Sequence, residues 1–382
     1  MKTEYALMVG ALARAVANKA LEMPETVDWQ QFLRQAKRHK VEALAYRGLQ
    51  GMALPKRVEE TLSGAFHGAV FQDVQMEYRK QCLEETLEKE GIPYVFLKGA
   101  VLKYCYPVPA LRTMCDLDIL VHTEDYPAVD KLAIAMGGEA ISGDGNHRNY
   151  HFPEGVEVEF HPNLLHHAVP VGTGINPGWQ YADGNTLTPE GVYLNTLCHL
   201  ADHFVSGGVG VRFVLDVWVN RYLRKPEMDR AFVESELERI GLLEFTRNIE
   251  QLADAWFGDE PMTPLLEELG EYILTSGSYG TTDRQILNAV SLSPGGNRVS
   301  TLLRKAFYPK AELEDRFPWC KGKAWLLPAA WCCRAYRAVT INGKHIVRWS
   351  KDTGKIDKDQ VSGNKEKLRR FGIYSEKKDR KE

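Results

Sequence analysis

Two aspartates stand one residue apart in Asp116-Leu117-Asp118, and an apolar run, Ile119-Leu120-Val121, follows them. In a β-strand side chains alternate between faces, so Asp116 and Asp118 point one way while Leu117, Ile119 and Val121 point into a core. Two carboxylates side by side repel and lose hydration unless a cation sits between them. A divalent metal ion is the cation this pattern asks for. Further along, Val156-Glu157-Val158-Glu159-Phe160-His161 alternates strictly and predicts a second strand. Glu157 and Glu159 share a face there with His161, and that strand supplies a third carboxylate. Upstream, Tyr94-Val95-Phe96-Leu97 ends in Lys98-Gly99 and opens onto Ala100 to Tyr104, which reads as strand, tight turn and helix. A glycine in such a turn permits close backbone approach, and the first amides of a helix can receive an anion.

Taken together, Leu97-Lys98-Gly99, Tyr106-Pro107, Leu111-Arg112, Asp116-Leu117-Asp118-Ile119-Leu120-Val121 and Val158-Glu159-Phe160-His161 resemble the uncharacterised nucleotidyltransferase family of the polymerase-β-like superfamily. The resemblance runs from the N-terminal helices to about Ala338, where Phe307-Tyr308-Pro309, Phe317-Pro318-Trp319 and Trp325-Leu326-Leu327-Pro328 look like the family's C-terminal pattern. One position departs from the wider superfamily. Its glycine is followed by Gly or Ser, whereas Ala100 follows Gly99 here. No hydroxyl is offered to a phosphate at that point, which leaves backbone amides, Lys98 and Arg112.

The resemblance implies metal-dependent transfer of a nucleotidyl group from an NTP, ATP by abundance and family habit, to a hydroxyl-bearing acceptor. Such chemistry rests on positioning and on neutralising developing charge. Two magnesium or manganese ions about 3.5–4 Å apart can hold the attacking and leaving oxygens. Asp116 and Asp118 would bridge the ions. Glu159, two residues before the histidine as in the family, would bind the metal nearest the acceptor and help remove its proton. Lys98 and Gly99 would receive the β- and γ-phosphates, and Arg112 would neutralise phosphate charge. The acceptor is open: a protein, an RNA end, a sugar or a small molecule. Two other classes share these residues. One is a non-catalytic nucleotide-binding protein of regulatory or toxin–antitoxin type, which has no need of mutually repelling acids. The other is a kinase that moves the γ-phosphoryl group.

Several further groups have both a chemical and a structural reading. His161 could contact substrate or close the sheet edge. His199 and His203 are four apart on a predicted helix and share a face, but no zincin glutamate stands between them, and helix packing is preferred. Arg212 and Asp216 fall near the cleft by the resemblance. Trp218, Trp319, Trp325 and Trp331 are read as core or helix-packing residues.

The elements that must position these groups fall into an α+β plan: a small mixed sheet flanked by N-terminal and C-terminal helical regions. Residues 1–90 form the first helical region, with a long helix from Val58 to Glu90 stopped by Gly91-Ile92-Pro93. Residues 91–188 form the nucleotidyltransferase core, its strands expected near 94–97, 117–121, 139–142, 149–152 and 156–160, with a Gly143–Asn146 turn and the sheet complete by about His166. A helix from Glu124 to Met136 has Thr123 as its expected cap. Residues 189–345 return to helices, beginning at a Thr188 cap with Pro189 in the first position and ending in a Trp319–Thr340 stretch that Pro328 breaks or kinks.

The 382 residues carry a formal net charge of −3, which gives no global attraction to nucleic acid. Residues 351–382 hold 11 Lys/Arg against 7 Asp/Glu, a net +4, with few apolar groups, and are expected to be a disordered, solubilising tail. The seven cysteines include no Cys-x-x-Cys pair, so neither a disulfide framework nor a zinc site is indicated, and a reducing cytoplasm fits. The N-terminal apolar residues suit an amphipathic helix rather than a signal peptide. The block from Ala324 to Cys333 is too short to cross a bilayer, so no membrane association is expected.

Overall fold

The computed structural model describes residues 1–141, 147–165, 171, 173–223, 228–293, 301, 310, 313–314, 317–336, 353–354 and 356–373. The expected turn at Gly143–Asn146, His166, Phe307-Tyr308-Pro309, residues 337–340 and Lys351 lie outside the described residues.

Four helices come first: α1 (Thr3–Ala17), α2 (Trp29–Arg38), α3 (Glu42–Leu49) and α4 (Lys56–Lys89). The last has 34 residues and stops where expected, at Gly91 with φ +67°, followed by Pro93. A five-stranded sheet follows, in the order β1-β2-β5-β4-β3. Its strands are β1 (Tyr94–Phe96), β2 (Asp116–Val121), β3 (Glu139–Ile141), β4 (Arg148–His151) and β5 (Glu157–His161). Only β2 and β5 run parallel; the other neighbours are antiparallel. The short helix α5 (Gly99–Leu102) leaves the turn after β1, and α6 (Tyr126–Ala135) follows β2. Thr123 does not cap α6. It opens a 3₁₀ turn over Thr123–Asp125, and α6 starts at Tyr126 with Pro127 in its first turn, where a missing N–H costs nothing.

The alternation of β2 divides the molecule. Leu117, Ile119 and Val121, with Val158 and Phe160 of β5, enter a core shared with Met76, Leu83 and Leu87 of α4 and with Tyr126 and Val129 of α6. Leu120, with Val95 and Leu97, faces the other way, into the large core of the helical body. Asp116 and Asp118 have the parity of Leu120, so their carboxylates sit on the sheet face turned towards the helices.

That body is built from α7 (Pro189–Val205), α8 (Val211–Tyr222), α9 (Arg230–Ile240), α10 (Leu243–Phe257), α11 (Pro264–Leu274) and α12 (Thr282–Ser291). Thr188 caps α7 as expected, its side chain accepting from the Gly191 N–H, with Pro189 in the first turn. Leu194, Leu197, Leu200 and Phe204 are buried along that helix.

Two expectations are corrected. Within the segment expected to be a disordered tail, Lys358–Arg370 forms a helix with a capping box between Asp357 and Gln360. Val361, Leu368, Phe371 and Ile373 are buried, and Asn364 donates to Asn288 Oδ1 at 3.0 Å and Ser291 Oγ at 2.9 Å on α12. Residues 361, 364, 368 and 371 form one helical stripe, which a charge-rich composition conceals. Among the tryptophans, Trp218 is buried as expected, but Trp325 is 76% exposed and Trp319 is 43% exposed. No helix of the described residues is long and apolar enough to cross a membrane.

Candidate active site

The parallel register of β2 and β5 sets Asp116 opposite Glu157, Asp118 opposite Glu159 and Leu120 opposite His161. Parallel pairing keeps facing side chains on one side of the sheet, so Asp118, Glu159 and His161 converge. Their ligand atoms all lie within 4.8 Å of one another. His161 Nε2 is 2.7 Å from Asp118 Oδ1 and 3.5 Å from Glu159 Oε2. Asn149 of β4 donates to Glu159 Oε1 at 2.9 Å. Glu157 is exposed at the strand start. Asp116 lies on the same face but outside the group of three.

Lys98 reaches the same centre. Its Nζ is 2.6 Å from Asp118 Oδ1. Its backbone has φ +49° and ψ −118°, a region that residues with side chains seldom adopt. The turn that follows is tightly closed. The α5 helix is four residues long, and the amides of Ala100, Val101 and Leu102 already donate to the carbonyls of Leu97 and Lys98. Gly99 also has a second reason to be glycine. A Cβ there would stand 2.6 Å from Arg112 Nη1 and 2.9 Å from Met114 Cβ.

Arg112 itself is engaged in a buried pair. Its Nε and Nη2 donate to the two oxygens of Asp216 on α8 at 3.1 and 2.8 Å. Tyr106 O–H donates to Asp216 Oδ1 at 2.8 Å. This network ties the segment between α5 and β2 to the helical body. Arg212, also on α8, donates to the Thr113 carbonyl at 2.8 Å, just ahead of Asp116.

The charges on the acid face are uneven. Burial, reinforced by the Asp118 charge, pushes the Asp116 carboxyl up to about 6. Burial and the charges of Asp118 and Asp116 push Glu159 up to about 7. Asp118 goes the other way. Burial opposes its ionisation, but the Lys98 charge and the His161 hydrogen bond hold its carboxyl well below the usual range. Burial and Lys98 lower the His161 imidazole, which therefore donates as a neutral ring from Nε2. On α7, the rings of His199 and His203 meet edge to face at 4.4 Å between centroids and pack on Phe213. Burial and the Lys98 charge lower His203 to about 4, so this pair is neutral and within electrostatic reach of the acid face.

The donor set suits a hard divalent cation, which prefers carboxylate oxygens. The Lys98 ammonium against Asp118 marks the point as one where positive charge is stabilised. Two residues escaped the sequence reading. Asn149 holds Glu159, and only the strand register could have revealed it. Asp202, between the two histidines, has a buried Oδ1 with no hydrogen-bond partner among the described residues, and burial pushes its carboxyl up to about 7.

A family model described as an uncharacterised nucleotidyltransferase matches residues 25–258, more than half of the chain. No curated protein and no solved structure matches it.

Proposed function

The chain belongs to the uncharacterised nucleotidyltransferase family, and on that premise we propose that it moves a nucleotidyl group from an NTP, ATP by abundance, to a hydroxyl-bearing acceptor. The observation that carries this reading is the convergence of Asp118 and Glu159 across the parallel pair, with Asp116 beside them on one face. Asp118 and Glu159 would hold magnesium or manganese, and Asp116 would complete the negative surface around it. When bound, the cation would stabilise negative charge on the nucleotide's phosphates.

The remaining chemistry belongs to the chain. The acceptor oxygen forms a bond to the α-phosphorus, the bond from that phosphorus to the bridging oxygen breaks, and pyrophosphate leaves with the electron pair. Glu159 takes the acceptor's proton, while Asn149 fixes its other oxygen and so its direction. His161 holds Asp118 in place. Lys98 contributes positive charge to the β- and γ-phosphates, helped by the Gly99 amide. Arg112, committed to Asp216, acts on the site through its field and by fixing the loop under Gly99, not as a free phosphate ligand.

The test is incubation of the protein with α-labelled or γ-labelled ATP and magnesium in a cell extract. Label from the α-position should enter an acceptor with release of pyrophosphate. Entry of γ-label with release of ADP would assign phosphoryl transfer instead.

A further inference from the structure

We propose that Lys98 is a resident counter-ion that keeps the metal site closed in the free protein, so that the divalent cation enters together with the nucleotide. The inference rests on the reading of Asp118 as a metal ligand.

Asp118 Oδ1 receives the Lys98 ammonium at 2.6 Å and the His161 Nε2 at 2.7 Å. That oxygen, which faces Glu159 and His161 in the candidate metal cluster, is therefore already engaged by two donors. Both side chains of the ion pair are shielded from water, Lys98 18% and Asp118 4% exposed, so solvent screens the contact little. An ammonium and a divalent cation cannot both bond that oxygen, because like charges at such separation repel strongly. The backbone supports a dedicated role. Lys98 occupies a left-handed conformation that favours glycine, although a glycine stands next to it. Such strain persists where the surrounding structure fixes it, and it gathers at working sites.

An incoming triphosphate changes the balance. It offers the ammonium a second anion close to the turn that carries it, and it brings its own cation. Lys98 then exchanges Asp118 for a phosphate, and the freed oxygen becomes a ligand. In the absence of nucleotide the ammonium remains on Asp118. The device prevents a divalent ion from organising the site around water instead of substrate.

The test counts bound manganese in the full-length protein without nucleotide, by electron paramagnetic resonance of the free ion. Lys98→Met and Lys98→Gly should each bind manganese at least tenfold more tightly than wild type, and Lys98→Arg should match wild type. The glycine variant suits the backbone conformation, so a neutral variant that folds is assured a fair trial. Adding Asp118→Asn to either neutral variant should abolish the gain. Equal manganese affinity in wild type and a folded neutral variant would overturn the proposal. A second titration contains an α,β-methylene ATP analogue. If wild type takes up manganese there, beyond what the analogue binds alone, the metal-site reading stands even when the counter-ion proposal fails. If no form takes up manganese with or without the analogue, the reading of Asp118 as a ligand fails as well.

Discussion

Two of the buried ionic clusters among the described residues lie within electrostatic reach of each other and are built on opposite plans. In Tyr106–Arg112–Asp216 one guanidinium meets one carboxylate with two matched hydrogen bonds, and a phenol completes the shell. Charge is balanced and geometry is closed. On the face of β2 and β5, Asp116, Asp118 and Glu159 face one ammonium among the described residues, Lys98, with Arg112 acting on Asp116 only through its field and His161 neutral. Charge is left over. A buried balanced pair is a fastener. A buried unbalanced cluster costs folding free energy and is retained where a ligand brings the missing charge.

This contrast can be broken by mutation. The largest effect expected is on turnover: Glu159→Gln should reduce nucleotidyl transfer by about 1,000-fold, or ~4 kcal/mol of barrier. Nucleotide should still bind, and the melting temperature should not fall, because one repelling charge has been removed. A stopped assay for pyrophosphate and a thermal melt check both halves. The fastener should behave in reverse. Arg112→Met leaves the buried Asp216 carboxylate with the Tyr106 hydrogen bond but no counter-charge, so stability should drop by about 3–5 kcal/mol, measured by urea unfolding. Adding Asp216→Leu should restore part of that loss. If Arg112→Met instead abolished nucleotide binding with unchanged stability, the guanidinium would be a phosphate ligand and the contrast would collapse.

A third buried polar centre carries no net charge. His39 is buried, with Nε2 at 3.0 Å from the Leu274 carbonyl and Nδ1 accepting the Val211 N–H at 3.1 Å. Burial lowers its imidazole from 6.5 to about 4. A folded pKa below the unfolded one means that His39 stabilises the fold fully above pH 6.5, and this contribution is lost as pH falls towards 4. The loss approaches ~3 kcal/mol, since each unit is worth about 1.4 kcal/mol. His39→Gln should be less stable at pH 7 but should show a flatter acid slope in unfolding measured between pH 7 and 4.

The sequence carried the strands and their alternation well, because apolar and acidic residues on β2 and β5 follow a period of two. The three acids were therefore legible, along with the long α4 and its glycine stop. Arg112 was not. Its partner Asp216 lies 104 residues away, and no local spacing encodes that contact. The local bonding of the turn was not legible either: α5 is so short that the amides of Ala100, Val101 and Leu102 close on their own turn. Glu159 could be preferred over Glu157 only by resemblance, because neither its register opposite Asp118 nor its Asn149 contact can be read from local spacing. The C-terminal helix was hidden because a few apolar residues among many charges suffice when a partner surface, α12, awaits them.

Two smaller effects follow from these points. Deleting residues 356–382 should expose the α12 surface and lower stability by about 2 kcal/mol, a balance between lost apolar burial and the entropy released by the freed segment. A melt of the truncated chain checks this, and an unchanged melting temperature would show the helix to be dispensable. Glu157→Gln, at the exposed edge of the acid face, should change turnover by less than about threefold, or ~0.7 kcal/mol. A larger loss than that of Glu159→Gln would move the catalytic carboxylate to Glu157.

The proposed function gives the surplus negative charge on β2 the role of holding a cation together with a nucleotide. Calorimetric titration of ATP into wild type and into the Asp116→Asn/Asp118→Asn double variant, with and without magnesium, tests it most directly. Wild type should bind ATP more tightly when magnesium is present, and the double variant should bind ATP equally with and without it. Unchanged magnesium dependence in the double variant would mean that Asp116 and Asp118 do not hold the cation.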